Sequence, residues 1–365
     1  MTDRWDTPEV KLWKATDLKG AEQPKFLAKN RIPRAAITIL IGEEGIGKSL
    51  LWILWASAVT TGKPMPEFGI PARDPAYVHI IVTEDEWKSV VRPRLEVAGT
   101  DLDYIRMICA DEDGGGSPTF PDDMERIVEA DPAPALVVCD AWLDTVPRRL
   151  QVRDPQQSRQ ALHPWKEAAN LTGAAIVLLA HTNRLASANI RDRYGATASL
   201  RMKARSTLYC LHDDGDLLVG PDKANSSSGR TRAGRFRIKA VQHFEPTEDH
   251  DGTVPLLEFV CESDKTIKQH LNDAIAAEKA KARPPSEIDQ WLSDFLAGGA
   301  QRAIDVYEAG AKSEYEWTPD QLKRAKKRIC GPAFHKTDDP TWWWQSKSYV
   351  VANFSSTEGG ENGEG

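Results

Sequence analysis

The sequence predicts an α/β fold: a mostly parallel twisted sheet with an antiparallel extension, joined to a small C-terminal module. Two patterns carry the main sheet. From residue 36 to about 180, apolar runs of strand length alternate with helical stretches. Between 207 and 241 the chain turns to short segments of antiparallel type. A third observation sets the module apart. Arg283-Pro284-Pro285 ends a charged, alanine-rich helix that runs from about Thr266 to Ala282. The expected divisions are an N-terminal arm (1–35), the core (36–262), a helical and proline linker (263–285), the module (286–351) and an acidic tail (352–365) expected to be disordered.

Residues 1–35 carry Trp5 and Trp13 with little periodicity and read as an arm packing beside the nucleotide site. The first strand, Ala36 to Ile41, runs into Gly42-Glu43-Glu44-Gly45-Ile46-Gly47-Lys48-Ser49. That is a full match to the phosphate-binding pattern G-x-x-x-x-G-K-[ST]. Leu50 to Val59 is helical in composition and closes on Gly62 before Pro64. In such a strand–loop–helix unit, the backbone N–H groups from Gly42 to Leu50 surround a phosphate at a helix N-terminus. Lys48 brings charge to the β/γ-phosphates and Ser49 offers a hydroxyl to Mg²⁺. ATP and Mg²⁺ are the ligands this loop implies.

A second strand, Tyr77 to Val82, ends in Thr83-Glu84-Asp85-Glu86, and Trp87 to Val97 reads as a helix. Ile105 to Ala110 is a third strand, followed by the glycine-rich loop Asp113 to Ser117 and a helix from Asp123 to Ala130. Ala135 to Cys139 delivers Asp140 at its C-terminal end. A helix from about Pro155 to Leu171 precedes a fifth strand, Ala174 to Ala180, which ends in His181. A polar loop with Arg184, Arg191 and Arg193 then leads to a short helix near Thr197 to Arg205. Thr207 to Leu211, Asp216 to Val219 and Arg235 to Val241 complete the sheet as antiparallel strands. In the last, Phe236, Ile238 and Ala240 alternate with Arg235, Arg237 and Lys239, as in a strand with one wet face.

Hydrolysis of a nucleoside triphosphate needs a metal, an oriented water and positive charge for the transition state. Asp140 is the expected Mg²⁺ partner. Glu84 ends the strand expected to neighbour the loop strand, where its carboxylate would polarise water; Asp85 and Glu86 are rivals. His181 stands where a side chain would hydrogen-bond the γ-phosphate and report it to the following loop. Lys223 reads either as a solvated hairpin lysine or as one that reaches a neighbouring subunit's nucleotide. Ser226 to Lys239 holds five basic residues and no acid, so it either lines DNA or forms an exposed hairpin.

In the module, Thr318-Pro319 is a helix start. Leu322, Ala325 and Ile329 share one face of the helix that follows, and Lys323, Arg324, Lys326, Lys327 and Arg328 cover the others. Trp342 to Trp344 reads as a closing strand. The module resembles a winged helix, with Gln321 to Arg328 as the helix that would meet nucleic acid through Lys323, Arg324 and Lys327. Winged helices also serve as protein-docking modules.

The net charge of -7 excludes a uniformly DNA-coating surface, so any nucleic-acid contact is local. No apolar run approaches the ~18 residues of a membrane span. The five cysteines form no C-x-x-C pair and the N-terminus lacks a signal-peptide plan, which predicts a reduced, cytoplasmic protein with no membrane contact.

GEEGIGKS, the strand with TEDE, ALVVCDAW, IVLLAHTNR and GPDKAN, in that order, resemble the RecA-type core ATPases over about residues 10–260. The resemblance is nearest to the RepA-like hexameric helicases of plasmids and phages. It implies a RecA-like P-loop NTPase core with Glu84 at the catalytic glutamate, Asp140 at the Mg²⁺-associated aspartate and His181 at the γ-phosphate sensor. The loop from Thr182 to Tyr194, with Arg184, Arg191 and Arg193, corresponds to the channel-facing DNA loop. Arg205 matches an arginine near the subunit boundary, and Lys223 the lysine that acts in trans. Asn225 departs from the DnaB-type relatives, which have arginine there, and leaves the trans-acting group less defined.

The resemblance implies an ATP-driven DNA helicase or translocase in phage or plasmid replication. Its partners would be single-stranded DNA, replication proteins and further copies of itself in a ring, a hexamer by family. Two other readings share the core: a recombinase forming filaments on single-stranded DNA, and an ATP-gated replication initiator or loader. Closed rings against filaments in electron micrographs separate the first pair. Duplex binding without DNA-stimulated turnover would mark the third.

Overall fold

The computed structural model describes residues 11–152, 154–182, 204–224, 231–281, 286–336 and 339–346. The chain divides into two compact units, Met1–Ile275 and Ala276–Gly365.

In the first unit, β1 (Phe26–Ala28) and β2 (Ile32–Pro33) form a small hairpin ahead of β3 (Ala36–Gly42). α1 (Lys48–Thr61) follows and stops at Gly62, whose φ of 72° is the left-handed C-cap that favours glycine. β4 (Val78–Val82), a π-turn at Trp87–Val91 that continues into α2 (Arg92–Val97), β5 (Ile105–Met107) and α3 (Glu125–Val128) come next. Then come β6 (Leu136–Asp140), α4 (Pro155–Thr172), β7 (Ala175–His181), β8 (Ser206–Asp213), β9 (Asp216–Ala224), β10 (Gly234–Gln242), β11 (Thr253–Glu262) and α5 (Ile267–Lys281).

Nine of the described strands form one sheet, in the order β11-β10-β9-β8-β3-β7-β6-β4-β5. β5, β4, β6, β7, β3 and β8 are parallel; β9, β10 and β11 extend the sheet antiparallel. α1 covers one face, where Trp52, Trp55 and Val59 pack with Leu40 and Leu179. Such all-round burial explains why α1 is apolar on every side. α4 covers the other face, with Leu162 and Trp165 against Ile39, Ile41 and Leu178. β3, β6 and β7 are buried on both faces, which is why they read as continuous apolar runs.

Five points of the sequence reading need correction or completion. β4 does not neighbour β3; β7 and β6 lie between them. β8 joins the sheet parallel to β3, and the antiparallel region begins only at β9. β11 falls outside the sequence reading altogether. β10 does not keep one dry face: Phe236 is buried, but Ile238 is 46% exposed. The cause is that β9 pairs β10 only from Gly234 to Phe236, after which β10 runs on with β11 alone. The fifth correction concerns the arm. Its hairpin packs at the end of the sheet away from Gly42, where the Ala35 N–H donates to the Gly173 carbonyl (3.3 Å) and Ser206 Oγ to that of Arg31 (2.6 Å). Trp5 and the short helix expected near 197–205, up to residue 203, lie outside the described residues.

The second unit contains α6 (Glu287–Phe295), β12 (Gln301–Arg302), α7 (Ala303–Ala311), α8 (Pro319–Ile329), β13 (Phe334–Lys336) and β14 (Asp339–Trp344). Its three-stranded sheet has the order β12-β14-β13. α8 opens on a capping box in which Thr318 and Gln321 satisfy each other's backbone N–H groups, with Pro319 at the first position. Leu322 and Ala325 are buried with Leu292, Val306 and Trp344.

Candidate nucleotide site

The loop after β3 is shaped by its glycines. A side chain at Gly42 would meet Ile46 Cδ1 at 2.7 Å and Cys210 Cβ at 2.8 Å. Gly45 and Gly47 hold φ values of +73° and +95°. Glu43, Glu44 and Gly45 are exposed, and the space where a Gly45 side chain would project is open. Ile46 and Leu50 turn into the core, which anchors the loop from beneath.

Lys48 is buried. Its ammonium donates to the carbonyls of Gly42 (3.1 Å) and Glu43 and to His181 Nδ1 (3.2 Å). The register puts Gly42 beside His181, because β3 and β7 are paired neighbours. His181 Nε2 in turn lies 3.1 Å from Glu84 Oε1. The donors fix the tautomer: the ammonium occupies Nδ1, so the ring proton sits on Nε2 and points to the carboxylate. Burial pushes the Lys48 pKa down, opposed chiefly by Cys210, Asp140 and Glu84.

The two rival acids are engaged elsewhere. Asp85 accepts from Arg94 at 2.7 Å, and Glu86 accepts from Ser89. Of the three, Glu84 is the one that turns toward the loop, and it does so through His181.

Asp140 is 4% exposed. Trp52 Nε1 donates to its Oδ2 at 2.9 Å, and Ser49 also hydrogen-bonds the carboxylate. Burial pushes the Asp140 pKa up, against those two hydrogen bonds and with help from Glu84 and Asp85. A buried carboxylate whose charge is opposed, beside a hydroxyl, is an oxygen donor pair that suits Mg²⁺. Ser49 and Asp140 would hold the ion, and Lys48 with the loop N–H groups would hold the phosphates. Trp52 went unnoticed in the sequence; its place four residues past Lys48 was the available signal.

Arg205 and Lys223 sit at the other end of the sheet. Arg205 N–H donates to the Ile37 carbonyl, and Lys223 pairs with Thr207 and donates to the Ala204 carbonyl at 2.9 Å. They are near each other and distant from their own chain's loop. Arg184, Arg191 and Arg193 lie outside the described residues. Four cations of the 226–239 segment have carboxylate partners: Arg232 with Glu262, Arg235 with Asp213 and Asp216, Arg237 with Asp216, and Lys239 with Glu258.

In the second unit Lys323, Arg324 and Lys327 are exposed on α8. Arg328 is not part of that face. It forks onto the buried Asp289 of α6, with contacts of 2.6 and 3.0 Å.

Among the described residues no helix is long and apolar enough to cross a membrane. No curated protein matches the chain. Residues 6–187, which contain the loop, Glu84, Asp140 and His181, match the family model of an AAA domain, and this stretch is accordingly an ATPase domain of the P-loop type.

Proposed function

We propose that the chain is an ATP-dependent DNA helicase or translocase of the RepA-like hexameric type, acting in phage or plasmid replication. The observation that carries the reading is the hydrogen-bonded series Lys48–His181–Glu84. It joins the phosphate loop, the acid that would place water, and the strand end from which the Arg184–Arg193 loop departs. A bound Mg²⁺·ATP supplies the scissile phosphoryl group and its compensating charge. Lys48 neutralises the β/γ-phosphates, Glu84 orients and deprotonates the attacking water, and His181 conveys the state of Lys48 to the loop after β7.

Arg205 and Lys223, at the end of the sheet away from their own loop, are suited to complete the site of a neighbouring copy. That arrangement calls for head-to-tail contact between copies, which a closed ring provides. The order of elements in the second unit, helix–strand–helix–helix–strand–strand, supports a winged helix that offers the exposed Lys323, Arg324 and Lys327 to phosphates. The test is strand separation on a forked duplex with ATP and with a non-hydrolysable analogue, alongside electron microscopy. Unwinding that needs hydrolysis, by closed rings, supports the reading. Filaments that pair strands would replace it with a recombinase, and site-specific duplex binding without turnover with a loader.

A further inference from the structure

Ile238 is a large apolar side chain in the middle of β10, and it is 46% exposed. Single apolar residues at a surface are common, so its position decides what it means. A Cβ built on Gly47 would meet Ile238 Cδ1 at 3.4 Å and Leu217 Cδ2 at 3.8 Å. Ile238 therefore lies against the last glycine of the phosphate loop, where α1 begins.

The strand pairing fixes it there. β10 leaves β9 after Phe236 and continues with β11, where Ile238 pairs with the buried Leu257. Arg237 Nε and Nη2 donate to Asp216, at the start of β9, at 2.7 and 3.0 Å, which ties the ribbon down where it departs. Further on, His243 Nε2 lies 2.9 Å from Glu96 Oε2 on α2. Alternation puts Ile238 and the exposed Ala240 on the face that carries Phe236. Arg237 and Lys239 point to the other face, where Asp216 and Glu258 meet them. The cations of β10 are thus turned away from the side that meets Gly47.

The direction of a bound triphosphate follows from the neighbours of β3. On the β7 side stand His181, 3.2 Å from the Lys48 ammonium, and Glu84 behind it. That is the side for the γ-phosphate. The phosphate chain is linear, so its nucleoside end leaves the loop on the opposite side, toward β8, β9 and β10. Ile238 meets the loop from that side and is open to solvent, so the face of a base laid on it would take apolar surface out of water.

We propose that Ile238 seats the nucleoside of the bound nucleotide, with one face of the base on its side chain while the phosphates occupy the loop. The inference rests on the reading that the loop holds ATP, and it assigns the part of the ligand that the phosphate pattern leaves open.

The test is calorimetric titration of the full chain with adenylyl imidodiphosphate, a non-hydrolysable ATP analogue, and with inorganic tripolyphosphate, each with Mg²⁺. Ile238→Ala should weaken the analogue about fivefold or more and leave tripolyphosphate unchanged, because only the analogue carries a nucleoside. Ile238→Met, which keeps an apolar cover of similar volume, should bind the analogue within about twofold of the parent. On the unsubstituted chain, amide hydrogen exchange across residues 236–241 should slow with the analogue and not with tripolyphosphate, a readout independent of how the variants fold. Unchanged analogue affinity in Ile238→Ala, equal weakening of both ligands, or exchange that the analogue leaves unaltered overturns the proposal. A parent chain that does not bind the analogue removes the nucleotide reading of the loop, and this inference with it.

Discussion

His181 Nε2 lies 3.1 Å from Glu84 Oε1, although β6 separates their strands. The same imidazole touches Lys48 through its other nitrogen. A phosphate that draws Lys48 away changes what His181 accepts, and the ring in turn changes its hold on Glu84. On the proposed reading, Glu84, His181 and Lys48 therefore respond together.

Glu84→Gln keeps the shape of the side chain but removes its basicity. Turnover should fall by about a hundredfold or more, with nucleotide affinity retained. Phosphate release and equilibrium nucleotide binding measure the two effects. Turnover within a few-fold of the parent would falsify the assignment.

Trp52→Phe deletes the indole N–H that Asp140 accepts in a buried setting. The unsatisfied carboxylate should cost about 1–3 kcal/mol in denaturant unfolding, and it should raise the Mg²⁺ concentration needed for turnover. An unchanged midpoint together with an unchanged Mg²⁺ requirement contradicts the role given to Trp52.

His79 gives a pH dependence whose sign is determined. Burial, and then Arg106, bring its pKa from the ordinary 6.5 to about 4 on folding, so the unfolded chain binds the extra proton between those values. Stability is therefore full above the ordinary value and is lost as pH drops toward about 4. The loss should be no more than about 3 kcal/mol. His79→Leu should flatten this part of the profile in urea titrations at a series of pH values, and an unaltered slope would refute it.

On α8 two kinds of cation should behave oppositely. Arg328→Ala strips the partner from the buried Asp289 and should destabilise the second unit by about 2 kcal/mol or more. Lys323→Ala, Arg324→Ala and Lys327→Ala should leave unfolding unchanged but weaken duplex binding and flatten its salt dependence. If those three leave DNA affinity intact, the helix serves protein docking instead.

Lys223→Ala and Lys48→Ala should each abolish turnover alone. Mixed before assembly, they should regain part of it, because an intact loop from one copy meets an intact lysine from the next. A mixture as inactive as its components rules out action in trans.

The loop, Asp140 and His181 were legible in the sequence because each ends an apolar strand, and local pattern marks strand ends well. Strand order is not local. Nothing in Tyr77 to Val82 tells that β6 and β7 intervene before β3, so Glu84 was read as adjacent when it reaches the loop through His181. β11 escaped because Pro255 interrupts it, which an edge strand tolerates, and because its exposed outer half shows no clean alternation. The pairs Trp52–Asp140 and Arg328–Asp289 join residues far apart in the chain. Only the folded chain brings such partners together.

The central claim is that His181 couples the phosphate loop to the Thr182 to Tyr194 segment, proposed above to meet DNA. It is tested most directly by the ratio of ATP turnover with and without single-stranded DNA, in the parent chain and in His181→Ala. The account predicts a stimulated parent and a variant whose ratio falls to about one. A variant stimulated as strongly as the parent would contradict it.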